Sequence, residues 1–163
     1  MNIKEIARRK VLKAVDEYNY VPSAIARSLS IQDSLSVGTI IPDIENEFFS
    51  KVISGISEVA ESYHYNIVFL GTNETLEKEH DFLKIVESQR LKGVIITPIS
   101  ETDTVTRDYL LRLEESGIPV VLVDRDVKGA QFDGVFVDNQ RGSYDGVMAL
   151  IKAGHERIAI ITG

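Results

Sequence analysis

The side chains best suited to binding a small molecule form two adjacent pairs in this 163-residue sequence. Phe48 and Phe49 offer aromatic faces, and such faces stack on a sugar ring or a purine. Asp124 and Arg125 place a carboxylate, which can accept hydrogen bonds from two sugar hydroxyls, beside a guanidinium. A salt bridge that caps a loop explains Asp124 and Arg125 equally well. Both pairs favour ligand binding over a chemical reaction.

The remaining polar residues do not predict catalysis or metal binding. No nucleophile stands in a recognisable pattern with a base, and His64, His80 and His155 lack the spacing of metal ligands. The absence of cysteine excludes disulfides and thiolate metal sites. Neither glycine-rich nucleotide-binding motif, G-x-G-x-x-G or G-x-x-x-x-G-K-[ST], is present. We therefore predict a protein that is not an enzyme and needs no cofactor or metal.

Six short apolar runs, rich in β-branched residues, predict strands that are buried on both faces. Segments with the 3/4 apolar spacing of helices lie between most of these runs. Repeated strand–helix units predict an α/β fold, in which helices flank both faces of a parallel sheet. The predicted strands are Val37–Ile41, Ile67–Leu70, Val94–Thr97, Val120–Val123, Val135–Val137 and Ile158–Ile161.

Four helices follow from the apolar spacing, and local signals mark several of their ends. Asn46 is placed to cap the first helix, whereas Gly117 and Gly154 close the third and the fourth. The polar connection 124–134 is too short for a helix. The apolar stripes of the four helices run from Phe49 to Tyr63, Leu76 to Val86, Val105 to Leu113 and Tyr144 to Ile151.

Ligands of such sheets bind beyond the carboxyl ends of the strands, which is where the candidate binding residues fall. Phe49 also fits the apolar stripe of its helix, so Phe48 is the stronger ligand candidate of the two. Asn73, Thr97 and Asp138, at equivalent strand ends, are weaker candidates. The predicted ligand-binding residues are Phe48, Phe49, Asn73, Thr97, Asp124 and Arg125.

Charge is distributed unevenly along the chain. The first 30 residues carry six basic and three acidic side chains, a net charge of +3. The remaining residues carry a net charge of −10, which gives the chain its total of −7. A basic head on an acidic body is typical of a nucleic-acid-binding arm. No apolar run approaches the ~18 residues of a membrane span, and MNIKEIARRK has no apolar core of a signal peptide. We expect a cytoplasmic protein that does not enter a membrane.

Five segments follow one another in a recognisable order: KVLKAVDEYNYVPSAIARSLS, VGTIIPDIENEFFSKVISGISEVAESYHYNIVFLGTNE, LKGVIITP, GIPVVLVDR and VFVDNQRGSYDGVMALIKAGHERIAIITG. Together they resemble the LacI/GalR family of bacterial transcription regulators. The resemblance implies a core of the periplasmic-binding-protein-like type I fold, in which aromatic side chains after the first strand stack on the effector. It divides the chain into a remnant of a helix-turn-helix headpiece (1–21), a hinge helix and linker (22–34), the N-terminal lobe of the core (35–138) and an incomplete C-terminal lobe (139–163).

The resemblance also assigns a role to the segment before the sheet. It implies that a hinge helix forms on the DNA operator and enters the minor groove, where Leu29 wedges between bases and Ser23, Ala26 and Arg27 contact the groove. An eight-residue helix is unstable alone in water, which fits folding on DNA. The alternative is that Leu29 packs on the core and that the segment is a linker.

The first residues depart from the family pattern. NIKEIAR (residues 2–8) resembles the start of the first headpiece helix, yet RKVLKAV follows directly and resembles the third. The segment that resembles a recognition helix is missing between them, so we expect residues 3–18 to form one basic helix. We also expect defective operator binding. IAIITG (158–163) resembles the point after which the family's second lobe continues, so we expect a ligand cleft with one wall.

Two functions are consistent with these observations. The first is a DNA-binding transcription regulator, most simply a repressor, that acts as a homodimer and responds to a small-molecule effector such as a sugar. The second is a stand-alone sugar-binding protein of the periplasmic type. The basic head and the hinge-like segment favour the first. The resemblance leaves the effector open among sugars, purines and a phosphoprotein co-repressor.

Overall fold

The computed structural model describes residues 5–18 and 35–161 of the chain. It contains two compact units, one that includes the first helix and another that begins at Ser36. The first helix, α1 (Glu5–Glu17), confirms the prediction of a continuous basic helix near the N-terminus. Its Val11 and Leu12 side chains are exposed. Ser23, Ala26, Arg27 and Leu29 lie outside the described residues, so their role stays a prediction.

The second unit alternates strands and helices as the apolar patterns predict. The first four strands are short apolar runs rich in β-branched residues, and the helices between them carry a 3/4 apolar stripe. The elements are β1 (Ser36–Ile41), α2 (Glu47–Ser62), β2 (Asn66–Gly71), α3 (Leu76–Ser88), β3 (Gly93–Ile96), α4 (Thr104–Glu115), β4 (Val120–Val123), β5 (Asp133–Val135) and α5 (Asn139–Lys152).

The five strands form one parallel sheet in the order β2-β1-β3-β4-β5. In the register, Thr39 of β1 pairs with Phe69 of β2 on one side and with Ile95 of β3 on the other. The chain moves outward from β1 to β2 and then returns past β1 to β3. This reversal creates a crevice at the carboxyl ends of β1 and β3, the position where doubly wound sheets bind ligands.

Local capping sets where the main helices begin. Asn46 accepts a hydrogen bond from the Phe48 amide at 2.9 Å, which confirms it as the N-cap of α2. Asp103 accepts one from the Thr106 amide at 2.7 Å at the start of α4. These side chains satisfy amides that have no partner within the helix. Both helices therefore start at fixed points next to the carboxyl edge of the sheet.

The main core lies between the sheet and helices α3 and α4. Ile40, Ile96 and Leu122 of the sheet pack there against Leu83 of α3 and Leu110 of α4, all fully buried. Val86 and Leu91 approach the middle of β1 so closely that a Cβ at position 38 would lie 3.2 and 3.1 Å from their methyl groups. Glycine at this position lets α3 pack directly on the strand.

Helix α2 lies on the opposite face of the sheet and covers it incompletely. A groove of about 480 Å³ separates the C-terminal half of α2 from the sheet. Two of its lining residues, Val59 on the helix and Tyr63 at its C-cap, are 59% and 72% exposed. We call this surface the α2 groove; its lining residues are Val37, Gly55, Ile56, Val59, Ala60, Tyr63, Tyr65, Ile67 and Ile95.

Two strand predictions need correction. Ile158–Ile161 does not form a strand, because no neighbouring strand pairs with it in the described part of the chain, and Ile160 and Ile161 are 73% and 100% exposed. The fifth strand is Asp133–Val135, two residues earlier than Val135–Val137, because Gly134 pairs with Leu122 of β4. Helix α5 forms as predicted, but it buries no side chain.

Within the described residues, no helix is long and apolar enough to cross a membrane.

Candidate ligand-binding site

The candidate site lies at the carboxyl edge of the sheet. Four of the six predicted ligand-binding residues stand there at the ends of strands: Asn73 after β2, Thr97 directly after β3, and Asp124 and Arg125 directly after β4. The other two, Phe48 and Phe49, begin α2 beyond the end of β1. We call this set of strand ends the carboxyl-edge site. A parallel sheet with this strand order brings the ends of β1, β3 and β4 side by side.

Phe48 and Phe49 differ sharply in exposure. The Phe49 ring is 4% exposed and belongs to the core, whereas Phe48 is 44% exposed. The two rings meet edge to face, with centroids 5.1 Å apart and planes at 73°. This contact holds Phe48 in place and leaves part of its ring free to stack on a ligand. Phe49 is placed to support its neighbour.

Asp124 is held in a strained turn at the end of β4. Its φ is +68°, and the Arg125 amide donates a hydrogen bond to the Val123 carbonyl at 2.8 Å across it. A hydrogen bond that spans two residues around a positive φ defines the rare, strained form of γ-turn. The Asp124 amide also donates to the Val135 carbonyl at 3.0 Å. These two hydrogen bonds fix the backbone of Asp124, whose side chain is half-buried.

The Arg125 guanidinium connects two loops of the carboxyl-edge site. Its Nη1 donates to the carbonyl of Pro98 at 3.3 Å and to that of Ile99 at 3.5 Å, both in the β3–α4 loop. The same atom lies 3.6 Å from the Glu74 carboxylate in the β2–α3 loop. These contacts are long, and Arg125 is a third exposed. A ligand oxygen can therefore compete for the guanidinium without breaking a tight ion pair.

Thr97 and Asn73 offer further polar groups. Thr97 extends the β3 ladder, because its amide donates to the Ile40 carbonyl at 2.9 Å. Its side chain is 1% exposed, and its hydroxyl is one of two buried side-chain oxygens without a protein partner in the described residues. Asn73 is exposed with φ at +51°. An unpaired buried hydroxyl costs about 1–3 kcal/mol, so a ligand that reaches Thr97 gains by pairing with it.

Backbone strain concentrates at the carboxyl-edge site. In the described segments, five residues other than glycine have positive φ: His64, Asn73, Glu74, Arg90 and Asp124. His64 and Arg90 follow the C-caps of α2 and α3, where a left-handed residue is usual. The other three all lie in loops after strand ends. Strain of this kind persists where the surrounding structure enforces it, and it is enriched at binding sites.

A buried carboxylate that the sequence prediction missed stands behind the site. Glu79, in the first turns of α3, is fully buried. One oxygen accepts a hydrogen bond from the Thr106 hydroxyl of α4 at 2.6 Å. The other accepts one from the Ile99 amide of the β3–α4 loop at 2.8 Å. Glu79 occupies the inward stripe between Leu76 and Leu83, and an acid on that stripe was the signal in the sequence.

Asp103 and His80 form a second contact between the same elements. The Asp103 carboxylate lies 2.9 Å from Nε2 of His80, and it also accepts from the Thr106 amide. Burial raises the pKa of Glu79, although its hydrogen bonds from Thr106 and Ile99 offset part of the rise. Burial acts in the same direction on Asp103, but hydrogen bonds from Thr106 and His80 outweigh it and hold the Asp103 pKa below its usual value. The pKa values of these two neighbouring acids are thus shifted in opposite directions.

The other polar candidates have structural roles. Asp138 accepts a hydrogen bond from the Arg141 amide at 2.8 Å and caps α5. Of the three histidines, His80 is hydrogen-bonded to Asp103. In the described part of the chain, no cluster of three or more histidine or acidic side chains is arranged to hold a metal ion.

Comparison with known proteins identifies the fold family. Residues 34–163 match the family described as "Periplasmic binding proteins and sugar binding domain of LacI family". The chain belongs to this family. The match covers all of the sheet and every residue of the carboxyl-edge site.

Relatives within the LacI family share most of this chain. Catabolite control protein A of Priestia megaterium is 33% identical over 162 residues, which are 99% of this chain and 48% of the relative. The solved structure of a putative ribose operon repressor from Burkholderia thailandensis has a TM-score of 0.68 at 33% identity, and covers 77% of this chain and 47% of its own. The chain spans about half the length of the curated relatives it matches.

A third comparison extends the likeness in fold. The lac repressor dimer bound to operator and the anti-inducer ONPF matches with a TM-score of 0.78 at 21% identity, over 98% of this chain and 47% of its own. The relatives named here are regulators rather than enzymes, in line with the sequence-based expectation. The LacI-family resemblance and the parallel sheet flanked by helices are thus both confirmed.

Proposed function

We propose that this chain is the ligand-sensing part of a LacI-family transcription regulator, which binds a DNA operator and responds to a small-molecule effector such as a sugar. The observation that carries the proposal is the strained turn at the end of β4, where the half-buried Asp124 stands next to Arg125 at the carboxyl edge of the sheet. A carboxylate and a guanidinium together can accept from and donate to adjacent sugar hydroxyls. The exposed ring of Phe48 supplies the apolar face that such a ligand needs.

The regulator is proposed to act as a cytoplasmic homodimer, most simply a repressor. Two hinge segments then meet in the minor groove, where Leu29 wedges into a base step and Ser23, Ala26 and Arg27 contact the groove. An apolar wedge bends DNA at a cost of a few kcal/mol, which added contacts offset. The basic helix α1 supports this proposal through its four positive side chains, Arg8, Arg9, Lys10 and Lys13.

A stand-alone periplasmic-type sugar-binding protein is the second candidate. The family description covers such proteins as well as LacI-family domains, and both require the same carboxyl-edge site. DNA binding separates the two. A sugar-binding protein has no use for a basic helix before its first strand.

Ligand binding is tested by NMR titration of the 163-residue chain with neutral sugars, sugar phosphates and purines at millimolar concentration. Sugars are expected to shift the amide signals of Asn73, Thr97 and Asp124. Asp124→Asn should abolish these shifts, whereas Asp126→Asn, in the same loop, should retain them because Asp126 contacts its own loop at Val127. A purine that binds where sugars do not would redirect the proposal to that effector class. Unaltered spectra with every ligand would refute it.

DNA binding is tested by fluorescence anisotropy with duplex DNA over a salt series. A few basic side chains give weak binding that salt weakens steeply. We expect this behaviour, and we expect Arg9→Ala with Lys13→Ala to remove it. Nanomolar, sequence-specific affinity at physiological salt would contradict the expected defect in operator binding. Complete absence of binding at low salt would favour the periplasmic-type alternative.

A further inference from the structure

We propose that Glu79 is a positioning residue of the carboxyl-edge site: it fixes the β3–α4 loop, and this loop fixes the Arg125 guanidinium. Glu79 lies on α3, behind the loop, and is fully buried. It is not a ligand contact. The step from Arg125 to a ligand rests on the proposed function, whereas the steps from Glu79 to Arg125 stand on the structure alone.

The first step is the hydrogen bond from the Ile99 amide to Glu79 at 2.8 Å. Hydrogen bonds to a carboxylate are stronger than those between neutral groups. The bond fixes the peptide group between Pro98 and Ile99, because the Ile99 N–H and the Pro98 carbonyl belong to the same planar unit. Orienting this amide toward Glu79 therefore orients the Pro98 carbonyl in the opposite direction.

The second step is the contact of that carbonyl with Arg125. Nη1 of Arg125 donates to Pro98 at 3.3 Å and to Ile99 at 3.5 Å. Opposite ends of one peptide group thus face Glu79 and Arg125. If the peptide rotates, the guanidinium loses its carbonyl acceptor and keeps the Glu74 carboxylate, 3.6 Å away. The guanidinium would then move toward the β2–α3 loop.

Glu79 also has a purely structural contact, which the test must separate from the positioning one. Its other oxygen accepts from the Thr106 hydroxyl at 2.6 Å and so joins α3 to α4. Thr106→Val removes this contact and leaves the Ile99 bond in place. Glu79→Leu removes both. Glu79→Gln can keep both, because its amide oxygen can accept from Ile99 while the Thr106 hydroxyl turns to accept from its NH₂ group.

Burial raises the pKa of Glu79, so the folded chain holds this acid against a desolvation cost. A leucine of similar size would fill the same space without that cost. The hydrogen bond to the loop is a contact that leucine cannot supply. The loop is in turn tied to the β4–β5 connection by Lys128, which lies 3.3 Å from Glu101. Glu79 therefore anchors the β3–α4 loop on one side, and Lys128 ties the same loop to the β4–β5 connection, which carries Arg125.

The test measures two NMR signals and one affinity in each variant of the 163-residue chain. The signals are the Ile99 amide and the Arg125 side-chain Nε–Hε group, and the affinity is for the neutral sugar that shifts the wild-type spectrum most. Glu79→Leu should move both signals and weaken binding roughly tenfold, the factor that matches one hydrogen bond. Glu79→Gln should restore both signals and the affinity to within about twofold.

Thr106→Val provides the matched control. It should lower stability while leaving the Arg125 signal and the sugar affinity as in the wild type. An equal loss of affinity in Thr106→Val and Glu79→Leu would show that Glu79 acts through helix packing alone, and would overturn the proposal. So would an Arg125 signal that Glu79→Leu leaves in place.

Two further outcomes are covered by the design. If Glu79→Leu does not fold, Glu79→Asp replaces it, because the shorter side chain cannot reach both partners; it should displace the Ile99 and Arg125 signals in the same direction. If the wild type binds no sugar, the proposed function fails. The two NMR signals then still decide whether Glu79 positions Arg125.

Discussion

Asp124 holds a conformation that costs free energy at a position where glycine would relieve it. A side chain in the left-handed region costs roughly 1–2 kcal/mol, and Asp124 at φ +68° lies in that region. Two backbone hydrogen bonds hold this conformation at the end of β4, from Arg125 to Val123 and from Asp124 to Val135. Its neighbours Asn73 and Glu74, with φ at +51° and +56°, share this feature. Strain and polar side chains therefore coincide at the same strand ends.

Asp124→Gly is expected to stabilise the fold and to eliminate sugar binding. Relief of the positive φ should raise the free energy of unfolding by up to about 1 kcal/mol, after the entropy that glycine adds to the unfolded chain. Urea unfolding and NMR titration measure the two effects. His64→Gly is the matched control, because His64 has φ +61° beyond the end of α2. His64→Gly should raise the free energy of unfolding by a similar amount and leave sugar binding intact. Loss of binding in both variants would show that the effect does not depend on the Asp124 carboxylate.

Glu79 should make stability fall as pH rises. Its folded-state pKa is raised above the usual 4.5 by burial, so folding takes up a proton in the window between the two values. The contribution to stability is complete below the unfolded pKa and is lost as pH rises through the folded one. Urea unfolding across this window should show that wild type loses stability relative to Glu79→Gln. Parallel pH profiles for the two proteins would contradict this expectation.

At the scale of elements, α4 and α5 are both capped by an aspartate, but only α4 packs on a core. Asp103 caps α4, whose Leu110 and Leu113 are buried. Asp138 caps α5, which buries no side chain. The two caps have the same chemistry and hydrogen-bond lengths of 2.7 and 2.8 Å. Helical stability in proteins comes mostly from packing of the apolar face, so the two helices should respond differently to loss of their caps.

Asp103→Ala should lower the free energy of unfolding by about 1–2 kcal/mol, the usual cost of losing a cap, and it also removes the partner of His80. Asp138→Ala should leave the global unfolding transition in place and reduce only the helix signal in circular dichroism. Urea melts followed by circular dichroism and by tyrosine fluorescence distinguish the two effects. An equal shift of the global transition in both variants would show that α5 is coupled to the core.

The elements that sequence predicted are those whose signals are local. Asn46 announces α2 because a cap acts within three residues, and β4 is an uninterrupted apolar run. Ile158–Ile161 has the same strand-like composition but no pairing partner, and a strand without a ladder does not form. The partners of Arg125 lie 26 and more positions away along the chain, so no spacing rule could find them. Glu79 could have been found, since it interrupts an apolar stripe.

At the scale of the whole molecule, the two faces of the sheet are covered unequally. Helices α3 and α4 cover one face of the sheet over β1, β3 and β4, and the α2 groove leaves apolar surface open on the other. Exposed apolar patches of this kind mark sites of protein–protein contact. We expect the homodimer proposed above to pair partly through this helix. The outward side of α3 contributes no large exposed apolar side chain among those described, so α2 is the more favourable surface.

Self-association through the α2 groove should therefore depend on Val59. Val59→Lys places a charge in the groove and should lower the average mass in sedimentation experiments over a concentration series. Val105→Lys is the matched control, because Val105 is 45% exposed on α4, away from the groove. It should associate like the wild type. A clean monomer at every concentration for all three proteins would rule out this surface as a contact between copies.

The isoleucines at 158, 160 and 161 also affect how the protein aggregates during storage in solution. They are β-branched and lie outside any ladder, and the sheet ends on one side at β5, a strand of three residues. An edge strand is a template for any extended segment with a matching pattern. When the segment of one copy joins the edge of the next, each addition leaves a fresh edge, so growth by this route never closes as a two-fold pair does. Concentrated samples should form a fibrous precipitate on storage. The fibres should lengthen with time, because no symmetric pairing ends their growth.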